Sequence, residues 1–515
     1  MRPTRVTVVL TLLAGLAGCG RQTIGGPGQP VAGADAGPPS TLRQKLQIVP
    51  TRNQLDLLIV VDDSANAAAQ QKLVSQLPGL LQQLEALPDG LPDLHIGVIS
   101  TDMGGGPQPP PGCTATGKAG QLQSAPRGNC ADTTLAAGAT FISAAGGLRN
   151  FTAPLEQVVQ CIVPLGSDGC GFRQPLAAIV RALGADGARP PLANRDFLRP
   201  TAALGILILS THDDCSPSPG NTDFFTRDPG ASGLSDPLGP LDSYRCNRYG
   251  HLCDTVGGGR LIAMPPLVPP AGVTGTPPSV ELTHCVADDL PGGPLTPVSD
   301  VVALINGLKD DPGYKISVSA IAGPPVPYGV QWSPAGAANP QNPGELWPSV
   351  MLSCGAPGDA ALNPATMDLS SDGTEAEPAL RIAQFAQSFA HGLSGSICRP
   401  SYATVTTEVA QGLGTVTRGL KCIGTAVPLN ALQQPDCTVE ATYLNPMNAP
   451  LQVPIPFCDA DAQAPCWRAE TDATLCPGAG YAVEIIPDVS LQNAAGLVYD
   501  VSCATCGSQS AFGCH

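Results

Sequence analysis

Clustered positive charge is missing from this sequence of 515 residues. Its 26 lysines and arginines stand against 42 aspartates and glutamates, which gives a formal net charge of −16 at pH 7. Because no stretch gathers enough Lys or Arg to follow a phosphate backbone, the composition excludes nucleic acid as a predicted partner and argues against anionic membrane surfaces. The negative charge is spread along the chain, as is typical of charge that maintains solubility.

Aromatic and charged residues are scarce, at 4% and 13% of the chain, whereas 59 glycines and 55 prolines are present. This composition predicts long loops between a modest number of packed segments. Two catalytic loop signatures are also missing. The run Gly104-Gly105-Gly106 lacks the lysine and the spacing of a phosphate-binding loop, and no Gly-x-Ser-x-Gly elbow precedes a helix. Neither a nucleotide site nor a serine-hydrolase elbow is therefore predicted.

A hydrophobic run long enough to cross a bilayer is missing from the N-terminal region as well. The apolar stretch 6–16 follows two arginines and is too short for a transmembrane helix, so residues 1–19 are predicted to be an export signal. Its last four residues, Leu-Ala-Gly-Cys, resemble the bacterial lipobox, which implies that Cys19 is lipidated and anchors the protein to a membrane. The alternative is an ordinary signal peptide with a chance cysteine.

Cysteines are abundant by contrast. Once Cys19 is set aside, 18 of the 19 cysteines remain, and an even number in an exported chain predicts up to nine disulfides rather than free thiols. Spacing alone does not give their connectivity. Close pairs that could form local bridges are Cys161/Cys170, Cys246/Cys253 and Cys458/Cys466, and Cys113 with Cys130 could clamp the loop between them.

The stretch around which the sequence is organised begins with five consecutive apolar residues, 57–61, and continues directly into Asp62, Asp63 and Ser64. An uninterrupted apolar run is typical of a strand buried on both faces of a parallel sheet. Ligand sites in open α/β sheets lie at the carboxyl ends of such strands. The polar side chains that follow this strand are therefore candidates for a functional site.

Helical and strand patterns alternate along the rest of the chain. Further strands are predicted at 94–102, 203–210 and 315–323. The alternation predicts an α/β fold with a doubly wound, mostly parallel sheet that carries large disulfide-braced insertions at about 104–150 and 217–294. Thr374 and Glu377 have the spacing of a capping box for one of the helices.

Four segments follow from these patterns. Residues 1–19 are the predicted signal peptide, 20–45 a flexible tether rich in Gly, Pro and Ala, 46–418 the α/β domain, and 419–515 a small Cys-rich β module. Eight of the 19 cysteines fall in the last segment. That segment has too little apolar bulk to be stable without disulfides.

Six segments in a fixed order carry a family resemblance. They are 60–64, 96–104, 169–176, 213–216, 307–313 and 396–398. Together with the order of elements, they resemble the von Willebrand factor A (vWA) family, and more narrowly the exported vWA-type lipoproteins of myxobacteria and related bacteria. The resemblance implies a vWA-like α/β domain over most of the mature chain.

The same resemblance implies a divalent cation above the sheet, held by a first-strand Asp-x-Ser-x-Ser motif, a loop Thr and a later Asp. Asp62 and Ser64 match the first two positions, whereas Asn66 replaces a hydroxyl by an amide. Gln174 stands roughly where the Thr is expected, and Thr211 where the later Asp is expected. We therefore predict a degenerate metal-ion-dependent adhesion site.

Two other carboxylates could compensate for these departures. Asp102 and Asp213 both follow predicted strands at the same edge of the sheet. Hard ions such as Mg²⁺ and Ca²⁺ prefer oxygen ligands of this kind. Our prediction is that no cofactor is bound, and Mg²⁺ or Ca²⁺ is the alternative.

The predicted function is not enzymatic. The resemblance implies an exported protein, anchored by its N-terminal lipid to the bacterial outer membrane or cell surface, that recognises or scaffolds an unidentified protein partner. One alternative is divalent-cation-dependent adhesion through Asp62 and Ser64. The other is a hydrolase in which His212, beside Asp213 and Asp214, acts as a general base.

Overall fold

The structure is a computed structural model. It describes residues 42–48, 53–64, 67–87, 90–128, 130, 133–221, 223–226, 233–255, 259–423, 427–445, 447–458, 463–470, 481–486, 488, 491 and 494–505. The predicted signal peptide with Cys19, the tether up to residue 41, and Asn66 lie outside the described residues. None of the helices in the described ranges combines the length and the apolar character that crossing a membrane requires.

Strands and helices alternate through most of the described chain. The strands are β1 (Leu42–Ile48), β2 (Gln54–Val61), β3 (Asp93–Ser100), β4 (Ile142–Ala145), β5 (Leu148–Arg149), β6 (Ala203–Ser210), β7 (His251–Thr255), β8 (Gly259–Ala263), β9 (Ser279–Leu282), β10 (Val286–Ala287), β11 (Ile316–Ala322), β12 (Tyr328–Pro334), β13 (Leu346–Val350), β14 (His391–Ser396), β15 (Lys421–Ile423), β16 (Cys437–Leu444), β17 (Pro450–Ile455), β18 (Cys466–Glu470), β19 (Tyr481–Ile486) and β20 (Ala495–Thr505). The α-helices are α1 (Ala67–Glu85), α2 (Leu155–Ile162), α3 (Pro175–Leu183), α4 (Ser243–Gly250), α5 (Val298–Asn306), α6 (Pro312–Lys315), α7 (Leu380–Gln387) and α8 (Ala403–Arg418).

A seven-stranded sheet forms the centre of the fold, in the order β14-β11-β6-β2-β3-β4-β5. The first five strands in this order run parallel to one another. The short strands β4 and β5 extend the sheet antiparallel at one edge. The prediction of an α/β fold with a mostly parallel sheet is therefore confirmed, and β2, which carries the organising stretch, lies in the middle.

The packing of β2 explains why its residues 57–61 are all apolar. Leu57, Ile59 and Val61 pack with α1, α2 and α8 in one hydrophobic cluster. Leu58 and Val60 point the other way and pack with α3, α5 and α7 in a second cluster. Because successive side chains of a strand point to opposite faces, a run that is covered on both sides favours apolar residues at consecutive positions.

Seven disulfides join described residues, and most of them connect elements that are distant in sequence. The pairs are Cys113–Cys170, Cys130–Cys161, Cys215–Cys246, Cys253–Cys285, Cys354–Cys398, Cys437–Cys503 and Cys458–Cys466. Of the local bridges considered from spacing, only Cys458–Cys466 is formed. Cys161 lies in α2 and Cys170 in the loop before α3, so the two face different neighbours, and the clamp between Cys113 and Cys130 is replaced by two separate bridges.

Two further antiparallel sheets contain the C-terminal strands. One has the order β1-β20-β16-β17 and the other β15-β19-β18. Strand β1 includes residues 42–45, which fall within the predicted tether. The side chains of β1 alternate between exposed and less exposed positions, with Ile48 buried. This alternation is the pattern of a half-buried strand, and here it is completed by pairing along the full length of β1 with β20.

Candidate functional site

Asp62 is the first residue after β2 and is completely buried. The backbone N–H and the hydroxyl of Ser64 donate to its Oδ1 atom, at 3.0 and 2.5 Å. The backbone N–H and the hydroxyl of Thr211 donate to its Oδ2 atom, at 3.1 and 2.8 Å. Ser64 can reach because it follows two residues later in a tight turn, and Thr211 because it follows the neighbouring parallel strand β6.

Arg173 supplies the positive charge beside this carboxylate. Its Nε atom lies 3.4 Å from both carboxylate oxygens of Asp62, and one terminal nitrogen donates to the carbonyl of Gly171 at 2.6 Å. Burial alone would raise the pKa of Asp62, but the Arg173 guanidinium and the hydrogen bond from Ser64 lower that pKa to about 2. Asp62 is therefore ionised at neutral pH, and its charge is matched within the protein.

The loop that carries Arg173 is fixed at several points. Gly169 donates its backbone N–H to the carbonyl of Asp63 at 2.8 Å, and a Cβ atom at position 169 would overlap the Asp63 carboxylate. The disulfide of Cys170 with Cys113 holds the next residue. The backbone N–H of Cys215 donates to the carbonyl of Arg173 at 2.8 Å. These contacts hold the backbone of the loop in place, and the loop in turn positions the Arg173 side chain beside Asp62.

Of the other predicted metal ligands, Ser64 contacts Asp62, whereas Asp102 bonds to a different part of the sheet edge. The Oδ1 atom of Asp102 accepts the backbone N–H of Gly104 at 2.8 Å, and the amide of Gln174 donates to the carbonyl of Gly104 at 2.7 Å. Both residues lie at the predicted edge but stabilise a neighbouring turn. Within the described ranges, no group of three or more His, Cys, Asp or Glu side chains is arranged to hold a metal ion. A divalent cation beside Asp62 would lie against the Arg173 guanidinium, so the residues present do not fit it.

Asp63 points away from Asp62, toward β3. The hydroxyl of Ser100 donates to its Oδ1 atom at 2.6 Å. Burial and the neighbouring carboxylates of Asp102 and Asp62 raise the pKa of Asp63 to about 6, even though the hydrogen bond from Ser100 opposes this shift. The pKa values of Asp62 and Asp63 are therefore shifted in opposite directions, because only Asp62 has a cation beside it.

Asp213, a further predicted metal ligand, caps helix α7. Its Oδ1 atom accepts the backbone N–H of Ile382 at 3.0 Å, and its Oδ2 atom accepts the backbone N–H of Arg381 at 2.8 Å and a ring nitrogen of His251 at 2.7 Å. Burial opposes the shift, but these partners lower the pKa of Asp213. Its Oδ1 atom also accepts the backbone N–H of Asp214 at 2.8 Å, so the carboxylate joins its own loop to α7 and to the 217–294 insertion.

Asp214 forms a fully buried ion pair with Arg381. Its Oδ2 atom lies 3.1 Å from a terminal nitrogen of Arg381, and neither side chain is exposed to water. Its Oδ1 atom accepts the hydroxyl of Ser216 at 2.6 Å and the backbone N–H of Leu176, near the start of α3, at 3.1 Å. One carboxylate thus holds together the first turns of α3 and α7.

His212 faces neither Asp213 nor Asp214. One ring nitrogen lies 3.1 Å from the hydroxyl of Thr211, and the other lies 3.5 Å from a carboxylate oxygen of Glu377. Burial and the nearby Arg173 guanidinium lower the pKa of His212. The structure therefore does not assemble the residues of the hydrolase alternative into one catalytic group.

Glu377 belongs to a buried polar network that the sequence did not indicate. It was predicted to cap α7 with Thr374, but α7 has no side-chain cap at its N-cap residue, Ala379. Instead, the Glu377 carboxylate accepts the hydroxyl of Ser243 at 2.8 Å and the amide of Asn247 at 3.3 Å. These partners come from α4, inside the insertion, so no local spacing could have revealed them.

Asp242 lies near Glu377 and should make the stability of the folded protein depend on pH. It caps α4 by accepting the backbone N–H of Tyr244 at 3.0 Å, while burial and the Glu377 carboxylate raise its pKa to about 7. A folded-state pKa above the unfolded value of about 3.9 stabilises the protein below pH 4, and this contribution is lost as pH rises toward 7. Asp242→Asn keeps the cap and removes the charge.

We expect Asp242→Asn to be more stable than the parent protein at pH 8 by about 2 kcal/mol, and to differ little from it at pH 4. The full shift of the Asp242 pKa would correspond to a larger stability difference, but the side chain is partly exposed and its charge is therefore partly screened by water. Denaturant unfolding of the two proteins at both pH values measures the difference. An equal difference at pH 4 and pH 8 would contradict the raised pKa.

Comparison of the sequence with protein-family profiles and with curated proteins gave no match. Among solved structures, the pilus adhesin RrgA from Streptococcus pneumoniae is similar with a TM-score of 0.27 and 11% sequence identity. The similarity covers 90% of this chain and 58% of that one, so the chain corresponds to little more than half of the adhesin's length. A similarity this low carries no argument about fold or function.

Proposed function

We propose that this protein is a lipid-anchored component of the bacterial cell envelope, in which a vWA-like domain recognises or scaffolds another protein without a bound metal ion. The observation that carries the proposal is the pairing of Asp62 with Arg173 at the carboxyl end of the central strand. In this proposal the guanidinium provides the positive charge that a divalent cation provides in the vWA family. Recognition then depends on the loops around the sheet edge.

The vWA-like arrangement is supported by five parallel strands with hydrophobic clusters on both faces. The proposed Cys-rich module after residue 419 is supported by its antiparallel strands and the bridges Cys437–Cys503 and Cys458–Cys466. The disulfides agree with an oxidising, extracytoplasmic environment. Anchoring through Cys19 rests on the lipobox-like tetrapeptide alone.

The role of Arg173 is tested by the response of the full-length protein to cations. We expect millimolar Mg²⁺ or Ca²⁺ to leave the thermal unfolding midpoint of the parent protein unchanged. Arg173→Gln leaves the Asp62 carboxylate without its counter-charge, so the same ions should raise the midpoint of this variant by a few degrees. Arg181→Gln, which removes an arginine whose described bond is to the carbonyl of Arg189, is the matched control and should not respond.

Recognition itself is tested by chemical cross-linking on intact cells that carry the full-length protein. The proposal expects the same cross-linked partner with and without EDTA. Loss of the partner in EDTA, together with stabilisation of the parent protein by Mg²⁺, would favour cation-dependent adhesion through Asp62 and Ser64. Hydrolysis of a panel of esters and phosphates that disappears in His212→Ala would instead favour the enzymatic alternative.

A further inference from the structure

A cleft of about 500 Å³ opens beyond the carboxyl ends of β11 and β14, on the part of the sheet edge that is distant from β2. Its apolar wall includes Pro324, Val326 and Met367, and its charged groups are Glu281, Asp368 and Arg399. The volume falls within the usual range of ligand sites. The cleft also lies at the edge where open α/β sheets bind ligands.

The apolar side chains of this cleft are unusually exposed. Val326 is 69% exposed and Met367 is 95% exposed. Two exposed apolar side chains in one concave site offer a ligand apolar contact area beside the charged groups. Met367 is unbranched and polarisable, and such side chains adapt to ligands of different shapes.

Three charged side chains line this cleft. Among the residues that the structure describes, the side chains of Glu281, Asp368 and Arg399 form no hydrogen bond or ion pair, although all three line the same cleft. Side chains of both charge signs therefore line the cleft beside its apolar residues. A guanidinium fork is suited to a carboxylate, and the two carboxylates are suited to an ammonium group.

The walls of the cleft are fixed before any ligand binds. The disulfide Cys354–Cys398 holds the residue before Arg399, and the ammonium of Lys72 donates to the carbonyl of Arg399 at 3.0 Å. Another lining residue, Thr366, donates its hydroxyl to the carbonyl of Ser353. A preformed cleft loses less conformational entropy on binding than a flexible loop would.

We propose that this cleft binds an extended peptide segment that carries a carboxylate and an ammonium group on either side of an aliphatic side chain. Arg399 binds the carboxylate, Glu281 and Asp368 bind the ammonium group, and Val326 and Met367 contact the aliphatic side chain. The inference rests on the proposed recognition function and gives the chemistry of the partner. It makes no use of Asp62, Arg173 or any cation.

The test uses the full-length protein with ¹³C-labelled methionine methyl groups, because the chain has only six methionines and Met367 lines the cleft. The probes are N-acetyl-Asp-Val-Lys-amide and its reversed sequence, N-acetyl-Lys-Val-Asp-amide. We expect at least one of them to shift the Met367 methyl signal saturably. Replacing its Asp by Asn, or its Lys by Gln, should weaken binding about tenfold, because each change removes one charged hydrogen bond.

Variants assign each charge to its partner. Arg399→Gln should bind the Asp and Asn forms of the peptide equally, and the double variant Glu281→Gln/Asp368→Asn should bind the Lys and Gln forms equally. Arg195→Gln, which changes an exposed arginine outside the cleft, should behave as the parent protein does. The proposal would be overturned if neither probe shifted the Met367 methyl signal at millimolar concentration. It would also be overturned if the variants still distinguished the charged from the neutral forms of the peptide. Neither result would alter the cation test of Arg173.

Discussion

Asp214→Asn is expected to destabilise the folded protein by about 4 kcal/mol, whereas Arg381→Met should cost about 2 kcal/mol. Both substitutions break the same buried ion pair, but the charge that remains differs. A guanidinium cannot lose its proton in a protein, so Asn at position 214 leaves a buried cation. Met at position 381 leaves a carboxyl group that can take up a proton, and burial already raises the pKa of Asp214.

Denaturant unfolding of the two single variants and the double variant measures this asymmetry. The double variant should be more stable than the sum of the two single effects predicts, because it removes both charges together. At pH 5, Arg381→Met should recover part of its loss, since Asp214 then binds a proton more readily. Asp436→Asn is the control, because Asp436 and its partner Arg43 are 45% and 36% exposed, and the change should cost less than about 1 kcal/mol. Equal losses for Asp214→Asn and Asp436→Asn would contradict a cost that comes from a buried, unpaired cation.

Gly323→Ala should be the next most damaging change, with an expected loss of about 3 kcal/mol. A Cβ atom on Gly323, just after β11, would overlap the backbone carbonyl of Glu377. That backbone cannot move aside easily, because the N–H of Glu377 donates to the carbonyl of Thr211 at 3.0 Å and the N–H of Ala379 to that of Gly323 at 3.2 Å. The segment before α7 is thus tied to two neighbouring strands.

Gly313→Ala is the matched control, because a Cβ atom there has no neighbour within 4 Å. Position 313 lies in α6, where alanine is favoured over glycine, so this variant should be as stable as the parent protein or slightly more stable. Thermal unfolding of both variants provides the comparison. A Gly323→Ala protein with the stability of Gly313→Ala would show that the 377–379 segment can shift freely.

The central strands could be predicted because their signal is local. The run 57–61 is apolar at every position because β2 is covered on both faces, so the burial of the strand can be read directly from these five residues. The same reasoning correctly located Asp102 and Asp213 after strands at the carboxyl edge of the sheet. It could not predict where their oxygens point, because a short carboxylate bonds to the nearest free backbone N–H groups, here those of Gly104, Arg381 and Ile382.

The partner of Asp62 could not be predicted for a different reason. Arg173 lies 111 residues away in the chain, and its position depends on the Cys113–Cys170 bridge and on the backbone of Cys215. Sequence spacing gives neither disulfide connectivity nor the path of a loop. The network around Glu377 was missed in the same way, since its partners come from an insertion whose packing has no periodic signal.

Strand β1 pairs with β20 across almost the whole length of the chain, with Leu42 opposite Thr505 and a bond from Arg43 to Ser502 over 459 residues. Since a ribosome makes the N-terminal strand first, β1 must wait until β20, which begins at Ala495, has been synthesised before its partner exists. During that delay its edge is open to pairing with other chains. Arg43 and Lys45, both exposed, place positive charge on that edge, and such charges protect unpaired strands against aggregation.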